Sequence, residues 1–246
     1  NRVHGFGLKL NDIIFGEDVL NAGIFYQQRR ETYAFFNKDT LFNNSMDTSI
    51  YSTELESFFC ILLRDQYQFN IKAKYILNGY YEGNLFSSLR AYKIFNKSDY
   101  SRLGLLVDYN IRTPNYFLTN YASNHFKWKN NLSKFNLWES KFSLVFEKPS
   151  WYLRTKVTAA LYDNSIYFDS TAYPQLNDSS FLVYSIEVQK AFHLWKFVIS
   201  NKILYQTSEN ESTISFPELF IYNSTYFNDE IHFKSTGGLK CISSLK

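Results

Sequence analysis

The sequence predicts an all-β fold: an antiparallel up-and-down transmembrane β-barrel of about twelve strands. Three observations predict it. Apolar and polar residues alternate with period two from end to end, while helical periodicity is weak throughout. Many alternating runs extend 12 to 16 residues, whereas strands of globular proteins usually have about five or six. The connections alternate in length, which is the two-ended asymmetry of a barrel in an outer membrane. A Greek-key sandwich has shorter strands and lacks that asymmetry.

The expected strands run over 2–10, 22–36, 49–64, 67–82, 85–95 and 101–112, then 135–147, 151–168, 181–192, 194–208, 219–227 and 231–243. Tight connections fall at 64–66, 97–100, 148–150, 193–194 and 228–229. Longer polar ones fall at 37–48, 113–134, 164–180 and 209–216. Two are exceptions to the alternation: a short turn at 82–84 among the long connections, and a ten-residue segment at 11–20 among the short ones.

Composition narrows the class. With 24 Phe and 20 Tyr in 246 residues, the chain is too aromatic to be disordered. Nine Gly and four Pro exclude collagen-like or linker-like sequences. A net charge of +3, scattered along the chain, gives no footprint for nucleic acid. No apolar stretch approaches the length of a transmembrane helix. Cys60 and Cys241 sit in strand-like runs and read as packing residues, without disulfide or metal spacing. No linker divides residues 1–246, so one β-barrel domain is expected. The first residue, Asn1, falls in what reads as mid-strand, so the expectation is a fragment of a longer barrel.

Alternation alone does not say which face meets lipid. A soluble barrel turns its apolar parity inward, and a membrane barrel turns it outward. Strand length favours the second, because about nine to eleven tilted residues span the hydrocarbon. Aromatics also gather toward strand ends: Tyr67 with Tyr80 and Tyr81, Trp151 with Tyr167 and Phe168, Trp195 with Tyr205. Such clusters suit interfacial girdles. Roughly fifty bulky aromatic and aliphatic side chains would also overpack a soluble barrel of this strand number. Trp138, Phe142, Trp151, Leu153, Trp195 and Phe197 are therefore expected to face lipid.

On the opposite parity stand Lys72, Lys74, Arg102, Arg112, Lys141, Arg154, Lys156, Lys196 and Lys202. Asp108, Glu139, Glu147 and Glu187 accompany them. Nine cations against four anions make these the expected lining of a mildly cationic lumen that favours anions among small polar solutes. The opposing expectation is a narrow or plugged interior filled by paired charges, since about eight strands give a filled barrel and about sixteen an open channel.

The segment "TPNYFLTNYASNHFKWKNN" (113–131) is the most distinctive in the chain. Together with 75–92 and 201–227 it resembles the putative porin family of Bacteroidota outer membranes. Pro114, Ser123, Asn124, His125, Phe126, Trp128 and Asn130 carry that resemblance, followed by Tyr205, Gln206, Pro217, Ser224, Tyr226 and Phe227. The resemblance covers about 60–230. It implies a β-barrel in the outer membrane of a Gram-negative bacterium, with passive transport. The partners it implies are the bilayer, its lipopolysaccharide and small polar solutes.

No enzymatic activity, cofactor or metal is expected. "SNHF" (123–126) invites a Ser–His–Asn reading, but adjacent residues rarely form a triad, and no G-x-S-x-G elbow exists. A loop packed on itself, with Asn124 and His125 satisfying backbone groups and Trp128 anchored at the interface, is the plainer reading. His4, His125, His193 and His232 show no ligand spacing. Two alternatives to transport remain: an outer-membrane structural or adhesion barrel with a blocked lumen and partner-binding loops, and a soluble β-sandwich lectin or adhesin.

Overall fold

The computed structural model describes residues 2–35, 46–96, 98–123, 125–134, 136–209, 217–233 and 237–245. Side chains are described within these except at 2, 34–35, 46–48, 134 and 228–245. The strands are β1 (Arg2–Phe15), β2 (Asp18–Phe35), β3 (Met46–Leu63), β4 (Tyr67–Gly79), β5 (Leu85–Asn96), β6 (Ser101–Arg112), β7 (Asn120–Ala122) and β8 (Lys127–Lys129). They continue as β9 (Leu137–Lys148), β10 (Leu153–Asp163), β11 (Ser165–Phe168), β12 (Pro174–Asn177), β13 (Phe181–Leu194), β14 (Phe197–Ser208), β15 (Leu219–Phe233) and β16 (Gly237–Leu245). One helical turn, α1 (Tyr116–Thr119), lies between β6 and β7.

Twelve strands form one antiparallel meander in the order β1-β2-β3-β4-β5-β6-β9-β10-β13-β14-β15-β16. The sheet is not closed: β1 pairs with β2 and β16 with β15, and the two end strands are not hydrogen-bonded to each other. The small hairpins β7–β8 and β11–β12 stand apart from it. Among the described residues no helix is long and apolar enough to cross a membrane.

Strand ends differ from the sequence expectations in instructive ways. β1 continues to Phe15, and its turn is Gly16-Glu17, so 11–20 is no long connection. Every connection at that end is then short: 16–17, 64–66, 97–100, 149–152, 195–196 and 234–236. The turn expected at 193–194 lies at Trp195-Lys196, with Trp195 left-handed at φ 55°. The one expected at 228–229 is absent, because β15 continues to Phe233. β10 ends at Asp163, and 165–168 belongs to a separate hairpin. β4 stops at Gly79 (φ 97°), where a Cβ would overlap the Tyr51 carbonyl across a bulge at Thr53/Glu54.

The two faces are sorted as the inverted pattern requires. On β9, Trp138, Phe142, Leu144 and Phe146 are exposed. Their neighbours Glu139, Ser143 and Val145 are buried, Val145 to 1%. The buried apolar strand residues Ile50, Ile76, Leu106, Val145, Ala160, Phe181 and Val198 all share the parity of the charged residues. In a single sheet, lower exposure of one face means curvature toward it. The polar parity is thus concave and the apolar parity convex. At β15 both parities are open, with Phe220 and Ile221 each exposed.

Strand pairing on the concave side includes a fitted glycine. Gly104 faces Tyr92 across β5–β6, and a Cβ there would overlap the ring. The missing side chain lets Tyr92 lie flat on the neighbouring strand, where the Arg102 guanidinium covers it at 4.4 Å.

Candidate functional site: a capped, charge-laddered concave face

Cross-strand register places the charges of the concave face in pairing distance. Arg102 meets Glu147 at 2.5 Å, and Glu147 also accepts from Arg154 at 3.0 Å. Arg154 continues to Glu187 at 3.7 Å, and Glu187 to Lys202 at 2.9 Å. One ladder therefore crosses five adjacent strands, β6 to β14. A second joins Arg29, Glu54 and Lys74 across β2, β3 and β4, at 3.3 and 3.6 Å. Arg90 pairs with Asp108 at 2.7 Å, and Lys141 with Glu139. Lys72 and Lys156 have no carboxylate within ion-pair distance among the described residues. A polar face crowded with paired charges can line water but cannot meet hydrocarbon.

Of the thirteen lining residues expected from sequence, twelve lie on this face: Lys72, Lys74, Arg102, Asp108, Arg112, Glu139, Lys141, Glu147, Arg154, Lys156, Glu187 and Lys202. Lys196 does not; it sits in the β13–β14 turn, over the Trp195 ring at 4.8 Å. The sequence reading missed Lys9, Arg29, Glu31, Glu54, Glu56 and Arg90. In "QQRRE" (27–31) both parities of β2 are polar, so alternation could not separate them.

The convex face carries the expected apolar residues. Phe142 and Phe197 are exposed, Leu153 is half-exposed, and Trp138 packs edge-on to Tyr109. Trp151 and Trp195 lie in the short turns at the convex rim. Among the described side chains, convex-facing charges occur only near strand ends. Arg30 and Asp163 stand at the long-loop end; Asp18, Lys93, Lys148 and Lys190 stand at the short-turn end. Between them runs an uncharged band about five outward residues tall on each strand, such as Leu103, Leu105, Val107, Tyr109 and Ile111.

The segment 113–131 folds over the mouth of the concave face rather than joining a girdle. Thr113 gives its N–H and hydroxyl to Asn84 Oδ1, at 2.7 and 2.9 Å. Asn115 caps α1 by accepting from Phe117 N. α1 then reaches β2, where Tyr33 packs on Tyr116 (5.0 Å) and edge-on to Phe117 (4.7 Å). Tyr80 shares a hydrogen bond with Thr119 at 2.9 Å, so Tyr80 and Tyr81 serve the cap and not a lipid interface. Trp128 Nε1 donates to the Phe117 carbonyl and Asn130 Nδ2 to that of Leu118, both at 2.9 Å.

Trp128 therefore anchors the loop to itself. It stacks on Tyr121 and meets Phe168 and Tyr173 of the 164–180 connection. Ser123 closes a tight turn with Phe126 through backbone and hydroxyl, which places both in loop architecture; Pro114 is buried and His125 exposed. Asn124 lies outside the described residues.

Beneath this cap lies a cavity of about 1070 Å³. Its lining comes from β2 (Arg29, Tyr33), β3 (Glu54), β4 (Lys74), β5 (Phe86), β6 (Arg112), β10 (Tyr162), β13 (Phe181) and β14 (Gln206). One space touching strands so far apart requires a strongly curled sheet. A second cavity of about 380 Å³ continues along the same face between Glu56, Lys72, Arg90 and Asp108. The two share Lys74 and Phe86.

With fold and face assigned, comparison with known proteins gives one decisive result. The profile of a family described as "Putative porin" matches residues 18–237. The chain belongs to that family. A search of curated proteins returns no match. For a member of a porin family the two-faced sheet is the expected architecture. The family also implies a channel or structural role, not a catalytic one. The match spans β2 through β15 and includes the whole cap segment.

Proposed function

We propose that this protein is an outer-membrane channel through which small polar solutes diffuse passively along the concave face. What carries the reading is the pair of cavities that share Lys74 and Phe86 in their linings, because they follow one another along the charged face from the capped mouth toward mid-strand depth. The described concave face holds Lys9, Arg29, Lys72, Lys74, Arg90, Arg102, Arg112, Lys141, Arg154, Lys156 and Lys202. Against them stand Glu31, Glu54, Glu56, Asp108, Glu139, Glu147 and Glu187. Eleven cations against seven anions leave an excess of four, smaller than the sequence count but of the same sign. Mild anion preference is the expected consequence.

The cap sets the size of what enters. Planar-bilayer recording of the full-length protein should give discrete conductance steps with a reversal potential displaced toward chloride. Deleting 115–134 should preserve or enlarge the steps. A flat baseline in both proteins rejects transport. Current seen only after the deletion supports a second reading, a structural barrel whose mouth the cap keeps shut; the Tyr33–Tyr116–Phe117 cluster favours that reading.

A further inference from the structure

The convex rim at the short-turn end carries a basic feature that neither the lumen nor the cap explains. Leu153, at the start of β10, pairs with Lys148 of β9 on one side and with Lys190 of β13 on the other. The two lysines thus stand in one convex-facing row, two strand spacings apart, or about 10 Å. Their ammonium groups turn toward the same residue. Lys148 Nζ lies 3.7 Å from the centre of the Trp151 ring, and Lys190 Nζ donates to the Trp151 carbonyl. Neither has a carboxylate within ion-pair distance among the described residues. Asp99, whose charge Lys148 feels, is occupied by the hydroxyls of Ser150 and Ser101.

Lys190 also lies over Phe192 at 5.3 Å, so each cation borders an exposed aromatic ring. Two like charges brought to one tryptophan, on the side of the sheet that faces lipid, make a site for an anion whose remainder is apolar. Leu153 lies between them, and Phe146 and Val157 continue the apolar surface toward mid-strand.

We propose that Lys148, Trp151 and Lys190 bind the phosphate of an anionic phospholipid headgroup, with an acyl chain lying over Leu153 and Val157. The proposal rests on the convex face being in lipid. It gives the short-turn rim a specific lipid partner in the leaflet it faces. A free phosphate would satisfy the cations but leave the apolar strip uncovered, which is why the lipid is the occupant that fits.

The test uses the folded protein in bicelles of phosphatidylcholine mixed equally with phosphatidylglycerol, followed by native mass spectrometry of retained lipid. Wild type should retain phosphatidylglycerol in preference to phosphatidylcholine. Each Lys→Gln change should lower that preference roughly fivefold, and Lys148→Gln/Lys190→Gln about thirtyfold. Lys148→Arg/Lys190→Arg should keep it, and Arg30→Gln at the opposite rim should leave it unchanged. Equal retention of the two lipids by wild type overturns the site, as does a preference that survives the double Gln change. Competition by inorganic phosphate at comparable concentration would also overturn it, in favour of a free-anion site. Failure of wild type to fold into pure phosphatidylcholine bicelles would instead contradict the membrane reading itself, so the two failures are distinguishable.

Discussion

Phe142→Arg is the substitution that separates a lipid-facing sheet from a soluble one. Phe142 sits midway between Trp138 and Phe146 on the convex face of β9, beside Val107 of β6 and Ala159 of β10. Its exposure is 49%. A phenylalanine carries about 200 Å² of surface, so about 100 Å² faces outward. At about 25 cal/mol per Å² that is about 2.5 kcal/mol of burial in lipid. A guanidinium at the bilayer midplane adds about 2–4 kcal/mol. The expected loss is about 5 kcal/mol. The assay is the urea unfolding midpoint of protein folded into phospholipid vesicles. Phe146→Arg, two residues from Lys148 and near the rim, should cost only about 0–1 kcal/mol for its charge. On a solvated surface both changes would fall within about 0.5 kcal/mol. A Phe142→Arg midpoint within that range of wild type refutes the assignment of faces.

Three further outcomes follow from particular contacts. Glu187 joins Arg154 and Lys202, so Glu187→Gln raises the cationic excess from four to five. The reversal potential in a KCl gradient should move further toward chloride, and no movement would place Glu187 off the conducting route. Gly104→Val drives a side chain into Tyr92 and should cost about 1–3 kcal/mol in the same urea assay. Tyr92→Ala in that background should recover part of the loss, and strict additivity of the two changes would argue against the fit. Asp169, in the 164–180 connection, is held down to about 2 by the Thr171 hydroxyl, the Tyr173 N–H and Gln175. Because its folded pKa is depressed, its support for the loop is complete above the ordinary carboxylate range and is lost as pH falls through about 2. Limited proteolysis of 164–180 should therefore stay flat from neutral pH down to about 4 and rise progressively from there toward the low value, and Asp169→Asn should remove that acid-dependent rise.

Much of this architecture is legible in the sequence because a sheet with one apolar and one polar face imposes a period of two on every strand. The alternation of Leu103, Leu105 and Val107 with Arg102 and Asp108 defines β6 and its faces without any tertiary knowledge. What the sequence withheld has physical reasons. Turn positions slipped where a turn uses residues with no turn preference, as at Trp195-Lys196, where an aromatic residue occupies the left-handed region. β2 resisted sorting because Gln28 and Arg30 make its convex parity polar near the long-loop end. The motif at 113–131 was visible, but its role was not. Its contacts are with Tyr33, Tyr80 and Tyr173, each far away in the chain, so no local pattern marks it as a cap.

The faces can be read most directly by nitroxide scanning of Lys141 through Phe146 on β9, one labelled cysteine at a time, in vesicles. Contact with dissolved oxygen should peak at 142, 144 and 146, while a water-soluble nickel chelate should stay away from those three positions. If the chelate instead reaches 142, 144 and 146 freely, the apolar parity is not in lipid, and neither the channel nor the phospholipid site survives.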